Sequence, residues 1–403
     1  MASEAGRLPP VWVRGLGFLP LGAFGSLMLL TTPTLLAGNH APEPTIALVT
    51  AAGLASSWVA IPFMPILDWR YSRRTYAILF TLLGAVFAFA SLESMGRPGL
   101  LAVLLFLGDF AISLVVSAVG GWFGDLTAAE DKGALGSWFT VANIGGGGLT
   151  AAIAIPLIRH TPQPLGAIVL SLIVLGALPL YLAMPCRPAD GRLASESFRD
   201  FARDVAAMLR RREVVWVLAL FLAPCASFAL TNALGGFGRD FATSEQVVGV
   251  VGGVGAAVAG VAGSLLVPIL LKRLSAAPLY LAVGLVGAVF TLGLAAVART
   301  PLTFAIAMLG ENIFQAAAFS AANVVTLETI GHDNPLAATQ FGVLIGVSII
   351  PLTYMQVIDG RAYGWNGVTG SLLADALISG GACLLMGLAW SRRRAPSPLA
   401  GAA

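Results

Sequence analysis

Charge is scarce in this chain. Of its 403 residues only 11% are Asp, Glu, Lys or Arg, while 57% are hydrophobic; ordinary soluble domains carry about 25% charge. A soluble core cannot absorb that much apolar surface, so the surplus must face lipid, in line with a mean hydropathy of +0.87. Cysteine is nearly absent. Cys186, Cys225 and Cys383 lie far apart without metal-ligand spacing, which excludes a disulfide framework and leaves them as small buried apolar residues. The only histidines, His40, His160 and His332, fall in predicted loops, so no His-based zinc or catalytic cluster is in view. A membrane enzyme needs a nucleophile or metal group at a membrane face, and none stands out; no enzyme activity, cofactor, metal or nucleic-acid partner is expected. The run Gly145-Gly146-Gly147-Gly148 has no Lys-Ser or Lys-Thr after it, so it reads as close helix packing, not a phosphate loop.

What is abundant is long apolar runs. Crossing about 30 Å of hydrocarbon takes about 20 residues of helix. Twelve runs qualify: 15–37, 44–67, 75–94, 99–122, 133–158, 165–184, 213–237, 246–271, 275–298, 302–328, 337–358 and 367–390. The first follows Arg7 and Arg14; it is too long for a signal-peptide core and reads as an uncleaved span. With an even count both termini share one side. That side takes Arg7, Arg14, Arg70, Arg73, Arg74, Lys132, Arg187, Arg192, Arg199, Arg203, Arg210, Arg211, Arg212, Lys272, Arg273, Arg392, Arg393 and Arg394, leaving Arg97, Arg159, Arg239, Arg299 and Arg361 opposite. The split is 18 against 5 of the 23 basic residues, and the positive-inside rule puts both termini in the cytoplasm.

The chain repeats itself. Leu107-Gly108-Asp109 matches Leu309-Gly310-Glu311, Asp131 matches Asp333, Ser137 matches Thr339, and Phe139 matches Phe341. Pro65-Ile66-Leu67-Asp68-Trp69-Arg70 matches Pro268-Ile269-Leu270-Leu271-Lys272-Arg273. The offset is half the chain, so two six-helix bundles, 1–184 and 213–391, are expected. Between them lies a linker, 185–212, and after them a tail, 392–403. In the linker Phe198, Phe201, Val205 and Leu209 recur at helical spacing, with Glu196 and Asp200 early and Arg210 to Arg212 late. This is the pattern of an amphipathic helix on the membrane surface.

Three carboxylates sit inside predicted spans: Asp109, Glu311 and Asp375. A charge at the bilayer centre costs about 2.5–3.5 kcal/mol on insertion scales, and no Lys, Arg or His is embedded beside them. They must be protonated, face water or meet a cation, which suits a proton carrier. Glu311 and Asp109, at equivalent repeat positions, are the candidates for proton coupling. Amides that must find partners at membrane depth supply the candidates for solute contact: Asn312, Gln315, Asn323, Gln340, Asn143 and Asn232.

The all-α layout of twelve spans in two repeats resembles the major facilitator superfamily. The loop Asp68-Trp69-Arg70-Tyr71-Ser72-Arg73-Arg74 is similar to that superfamily's Asp-Arg-x-Gly-Arg-Arg loop. The resemblance implies an inner gate built from Asp68, Arg70, Arg73, Arg74 and Asp125. Glu311-Asn312, Ser320-Ala321-Ala322, Ala338-Thr339-Gln340-Phe341 and the stretch from Asp125 to Gly133 resemble the AmpG-type muropeptide permeases, near acetyl-CoA transporters and siderophore permeases. This implies a proton-coupled symporter, acting as a monomer in the bacterial inner membrane, that imports a small amphiphilic solute. An efflux antiporter on the same scaffold is the alternative, because acids without embedded bases suit cationic drugs. A green fluorescent reporter fused after Ala403 is expected to fluoresce in cells, and alkaline phosphatase fused there to stay inactive; the opposite pattern overturns the placement of the termini.

Overall fold

The computed structural model describes residues 8–161, 164–186 and 198–394. Arg7, Arg187, Arg192, Glu196 and the tail beyond Arg394 lie outside them. Every regular element among the described residues is helical. Among the described residues ten helices are long and apolar enough to cross a membrane: α1 (Val11–Gly38), α2 (Leu48–Asp68), α3 (Arg73–Glu93), α4 (Pro98–Leu126), α5 (Ala129–Ile158) and α6 (Leu165–Ala183), then α9 (Gln246–Leu270), α10 (Ala276–Ala295), α11 (Pro301–Ile330) and α12, Ala337–Arg394. Between the two groups lie α7 (Phe198–Leu209) and α8 (Arg212–Leu222). Large apolar side chains such as Leu302, Leu385 and Val258 stand exposed on the outside of the bundle, where only lipid can cover them. The chain is a multi-pass membrane protein.

Two departures from the expected runs matter. The run at 213–237 is broken. Pro224 disfavours the helical conformation for the residue before it; Ala223 is extended (φ −73°, ψ 143°) and α8 stops at Leu222. The chain resumes as a turn, Leu230–Ala233, and a 3-10 stretch, Leu234–Phe241. The break is held in place by its neighbours. A Cβ on Gly284 of α10 would collide with the Cys225 carbonyl, and the Cys383 thiol points at the same oxygen. The other departure is at the end. No loop separates the expected runs 337–358 and 367–390. The helix continues through Asp359 to a kink at Asn366 and Gly367, where Gly367 has φ 55°. At 58 residues α12 would stretch about 87 Å if straight, far beyond one bilayer crossing.

The apolar packing gathers in three cores. One apolar core gathers α1 to α6, with Leu327, Ile330, Ala337, Ala338 and Phe341 reaching into it. Two more cores belong to the later helices. Helix α7 lays its apolar side on protein: Phe201 and Met208 are buried in the later core, and the Phe201 ring stacks on Trp69 at 6.5 Å. It is therefore packed against the bundle as well as amphipathic.

The hydrogen bonds that cross between the two sets of helices gather at one end, where Asp68, Lys132 and Asn334 lie. Because most Lys and Arg also lie there, it is called the basic end below. Gly284→Ala is expected to wedge α10 away from the broken segment and to cost about 1–3 kcal/mol, read as a lowered unfolding temperature in detergent; an unchanged temperature would mean the close approach does not matter.

Candidate functional site

Two constellations combine buried charge with position. The first lies inside the later helices. Glu311 on α11 is 0% exposed, Asp359 2% and Asp375 3%, the last two on α12. The charges of Asp359 and Asp375 act on Glu311, and that of Asp375 on Asp359, so the three carboxyls form one cluster. Four of their oxygens are buried without a hydrogen-bond partner: Glu311 Oε2, both of Asp359 and Asp375 Oδ1. The remaining Glu311 oxygen lies 2.5 Å from Thr291 Oγ1, which is also 3.0 Å from the Gly287 carbonyl. A hydroxyl has one hydrogen. If it goes to the carbonyl, as back-bonding Thr in helices does, the second contact needs a hydrogen from Glu311. Whichever acceptor takes the Thr291 hydrogen, Glu311 Oε2 has no donor.

Asp359 was not among the sequence candidates, since it lay beside Gly360 and Arg361 in what read as a loop; only the continuation of α12 buries it. Asp109, the repeat partner of Glu311, is elsewhere. It is buried among the early helices, accepting from Ser56 and, at 3.1 Å, from Ser57. The repeat preserves the helix position of the two acids but not their company. Neither lines an open cleft in this conformation.

The amides divide. Gln315 Nε2 donates to Thr231 Oγ1 at 2.5 Å and to the Phe228 carbonyl at 3.2 Å, tying α11 to the broken segment. Asn312 donates to its own helix at Met308 O, 2.8 Å. Asn143 is half-buried on a π-helical turn, Val141–Gly145, and Asn232 is exposed. Asn323 and Gln340 lie elsewhere, at the basic end. Asn323 reaches across to Thr140 Oγ1 at 3.2 Å. Gln340 joins Asn334 and the Thr329 carbonyl.

That end is the second constellation. Asp68 Oδ2 accepts the Thr339 backbone N–H at 2.6 Å and Oδ1 the Ala338 N–H at 3.4 Å, so the carboxylate sits on the N-terminus of α12. Lys132 Nζ donates to the Leu327 and Gly331 carbonyls at 2.7 and 2.9 Å, so the ammonium sits on the C-terminus of α11. Helix ends carry unpaired N–H and C=O groups and opposite partial charges, and each side chain meets the end that matches its sign. Both residues are 3% exposed, which leaves no water to share the contact. Arg73 joins the pieces: its Nε is 2.7 Å from Asp68, one terminal nitrogen is 3.7 Å from Asp125, and the other donates to the Asn334 and Pro335 carbonyls at 2.8 and 3.1 Å.

Of the three arginines expected there, Arg73 makes these contacts; Arg70 is exposed with φ 73° and, like Arg74, forms no ion pair among the described residues. In the sequence Lys132 stands out only as a topological charge and as part of the Asp125 to Gly133 stretch. A lone Lys opening a helix carries no sign in sequence that it caps a helix 195 residues away.

The Major Facilitator Superfamily profile matches residues 15–335. No curated protein matches the sequence. Among solved structures, the proton:xylose symporter XylE is similar at TM-score 0.70 and 14% identity, covering 94% of each chain. The transporter FucP in its outward conformation is similar at 0.70 and 16%, covering 96% of this chain and 98% of that one. The human organic anion transporter MFSD10 is similar at 0.71 and 18%, covering 94% and 100%. In a chain with its native cysteines replaced, Ser137→Cys, buried at the basic end, is expected to resist membrane-permeant maleimide. Adding Lys132→Met is expected to make it label at least several-fold faster. Equal rates would show that the Lys132 contact does not hold that end shut.

Proposed function

Because the chain belongs to the major facilitator superfamily, we propose that it is a proton-coupled secondary transporter working by alternating access, with the Glu311, Asp359 and Asp375 cluster carrying the proton. It is a transporter and not an enzyme. In this reading α12 is two spans meeting at Asn366 and Gly367. Helix α8 with the turns up to Phe241 forms a broken seventh span, which brings the count to twelve, with both termini cytoplasmic. The bundles are 1–184 and 213–391, joined by 185–212 and followed by the tail 392–403.

The observation that carries the proposal is the cluster's shortage of donors: four bare carboxyl oxygens and, among the described residues, no embedded cation beside them. Ionising one of these acids where it is buried is costly. Its proton leaves when the packing changes and water or cargo reaches it, and that ties protonation to conformation. The ring of Asp68, Arg73, Asp125 and Lys132 is the cytoplasmic gate, here shut, so the solute enters from the opposite side. Asn323 and Gln340 belong to that gate. Gln315, Asn312, Asn143 and Asn232 are left to meet the solute, and Asp109 is an accessory acid of the early bundle. The proton symport of the structurally similar XylE supports the coupling ion. The resemblance to muropeptide and siderophore permeases supports import of a small amphiphile across a bacterial inner membrane. The lack of a base at the cluster favours one second reading, an antiporter expelling cationic solutes.

Proteoliposomes with an imposed pH gradient test this, using radiolabelled anhydromuropeptide, a ferric siderophore and ethidium as probes. With an acidic exterior, one of the first two is expected to accumulate. Glu311→Gln and Asp375→Asn are expected to keep solute exchange while losing gradient-driven accumulation by at least tenfold. Wild-type accumulation in Glu311→Gln overturns the coupling role; ethidium movement against the gradient selects the antiporter.

A further inference from the structure

On the outer flank of the basic end is a cavity of about 680 Å³ that plays no part in the gate or the acid cluster. Its lining is Arg210, Arg212, Val215, Trp216, Ala219, Ala389 and Arg392. Three guanidiniums and no acidic side chain line it, and none of the three arginines forms an ion pair among the described residues. The arginines also come from three separate places: Arg210 follows α7, Arg212 opens α8 and Arg392 lies in the last turn of α12. Their convergence is a product of the tertiary fold.

The cavity is graded. Arg212, Val215, Trp216 and Ala219 recur at the spacing of one helix face, so α8 descends from charge to apolar surface within about 10 Å. On the other wall Arg392 stands one turn above Ala389. The Trp216 ring packs on Trp390 at 4.5 Å, pinning the two helices side by side, and tryptophan is enriched at the headgroup level of a bilayer. Below, Leu388, Leu385 and Leu384 of α12 continue as exposed apolar surface.

We propose that this cavity binds the headgroup of an anionic phospholipid, with the phosphate held by Arg210, Arg212 and Arg392 and the glycerol and first acyl carbons lying against Val215, Trp216, Ala219 and Ala389. A cationic rim matches the phosphate, and guanidinium forks hold phosphate oxygens in pairs. The apolar floor, continuous with the lipid-facing surface, selects a lipid over a soluble phosphate. Basic pockets between helices at a membrane face take anionic headgroups for this reason. A lipid seated there bridges the linker, α8 and the end of α12.

The full-length protein in neutral detergent tests the assignment, with lipid retention read by native mass spectrometry and unfolding temperature read in parallel. The probes are phosphatidylglycerol, phosphatidylcholine and glycerol 3-phosphate. Phosphatidylglycerol is expected to be retained and to raise the unfolding temperature, and the other two are not. Arg210→Gln, Arg212→Gln and Arg392→Gln together are expected to remove retention and the temperature shift, and each alone to weaken retention about fivefold, so a poorly folding triple variant leaves the single ones to decide. A control of equal charge, Arg199→Gln, Lys272→Gln and Arg273→Gln, is expected to retain the lipid as the wild type does. Equal loss in the control means diffuse surface charge and overturns the site. Full retention in the triple variant, or a glycerol 3-phosphate effect matching that of the lipid, overturns it too.

Discussion

Asp68 on the N-terminus of α12 and Lys132 on the C-terminus of α11 hold the two sets of helices together at the basic end. A helix end and a buried charge share one difficulty, polar groups without partners in a medium that cannot hydrate them. Brought together, each satisfies the other. Pulled apart, each needs water, so the contact is made or broken as a whole and does not stretch. Both charges come from the early helices, and the repeat position of Asp68 is Leu271. The latch is therefore one-sided.

The helices capped by the latch also carry the acid cluster. Along α11, Glu311 lies 16 residues from Leu327, about 24 Å of helix. Asp359 and Asp375 lie on α12, whose first turn receives Asp68. Helix α11, and α12 as far as Asp359, thus run without a break from the acid cluster to the end where Asp68 and Lys132 meet them, while Asp375 lies beyond the kink at Asn366 and Gly367. In the proposed transport cycle the stiffness of these helices is the physical link, and no chain of intervening side chains is required.

The repeat illustrates how far a pattern in sequence reaches. It located Asp109 and Glu311 at matching depths on α4 and α11. It said nothing of what each would face, because the neighbours differ: two serines of α2 for one, and a threonine with two further acids for the other. The gate behaved likewise. The loop from Asp68 to Arg74 marks the place, and of its three arginines only Arg73 meets Asp68 and Asp125 among the described residues, while Arg70 has a positive φ and is exposed.

The sequence by itself determined that the chain is helical, lies in a membrane and repeats once, because run length, the cost of burying charge and the sidedness of Lys and Arg are properties of composition and order. The break before Pro224 has a local steric cause, but the apolar run 213–237 hides it and tertiary contacts at Cys225 hold it. Which charges meet was decided by the tertiary structure alone. Lys132 with Leu327, Glu311 with Asp359 and Asp375, and Arg210 with Arg392 are distant in the chain and unmarked in it. Their encounters depend on how helices cross, a property of packed surfaces that no single segment carries.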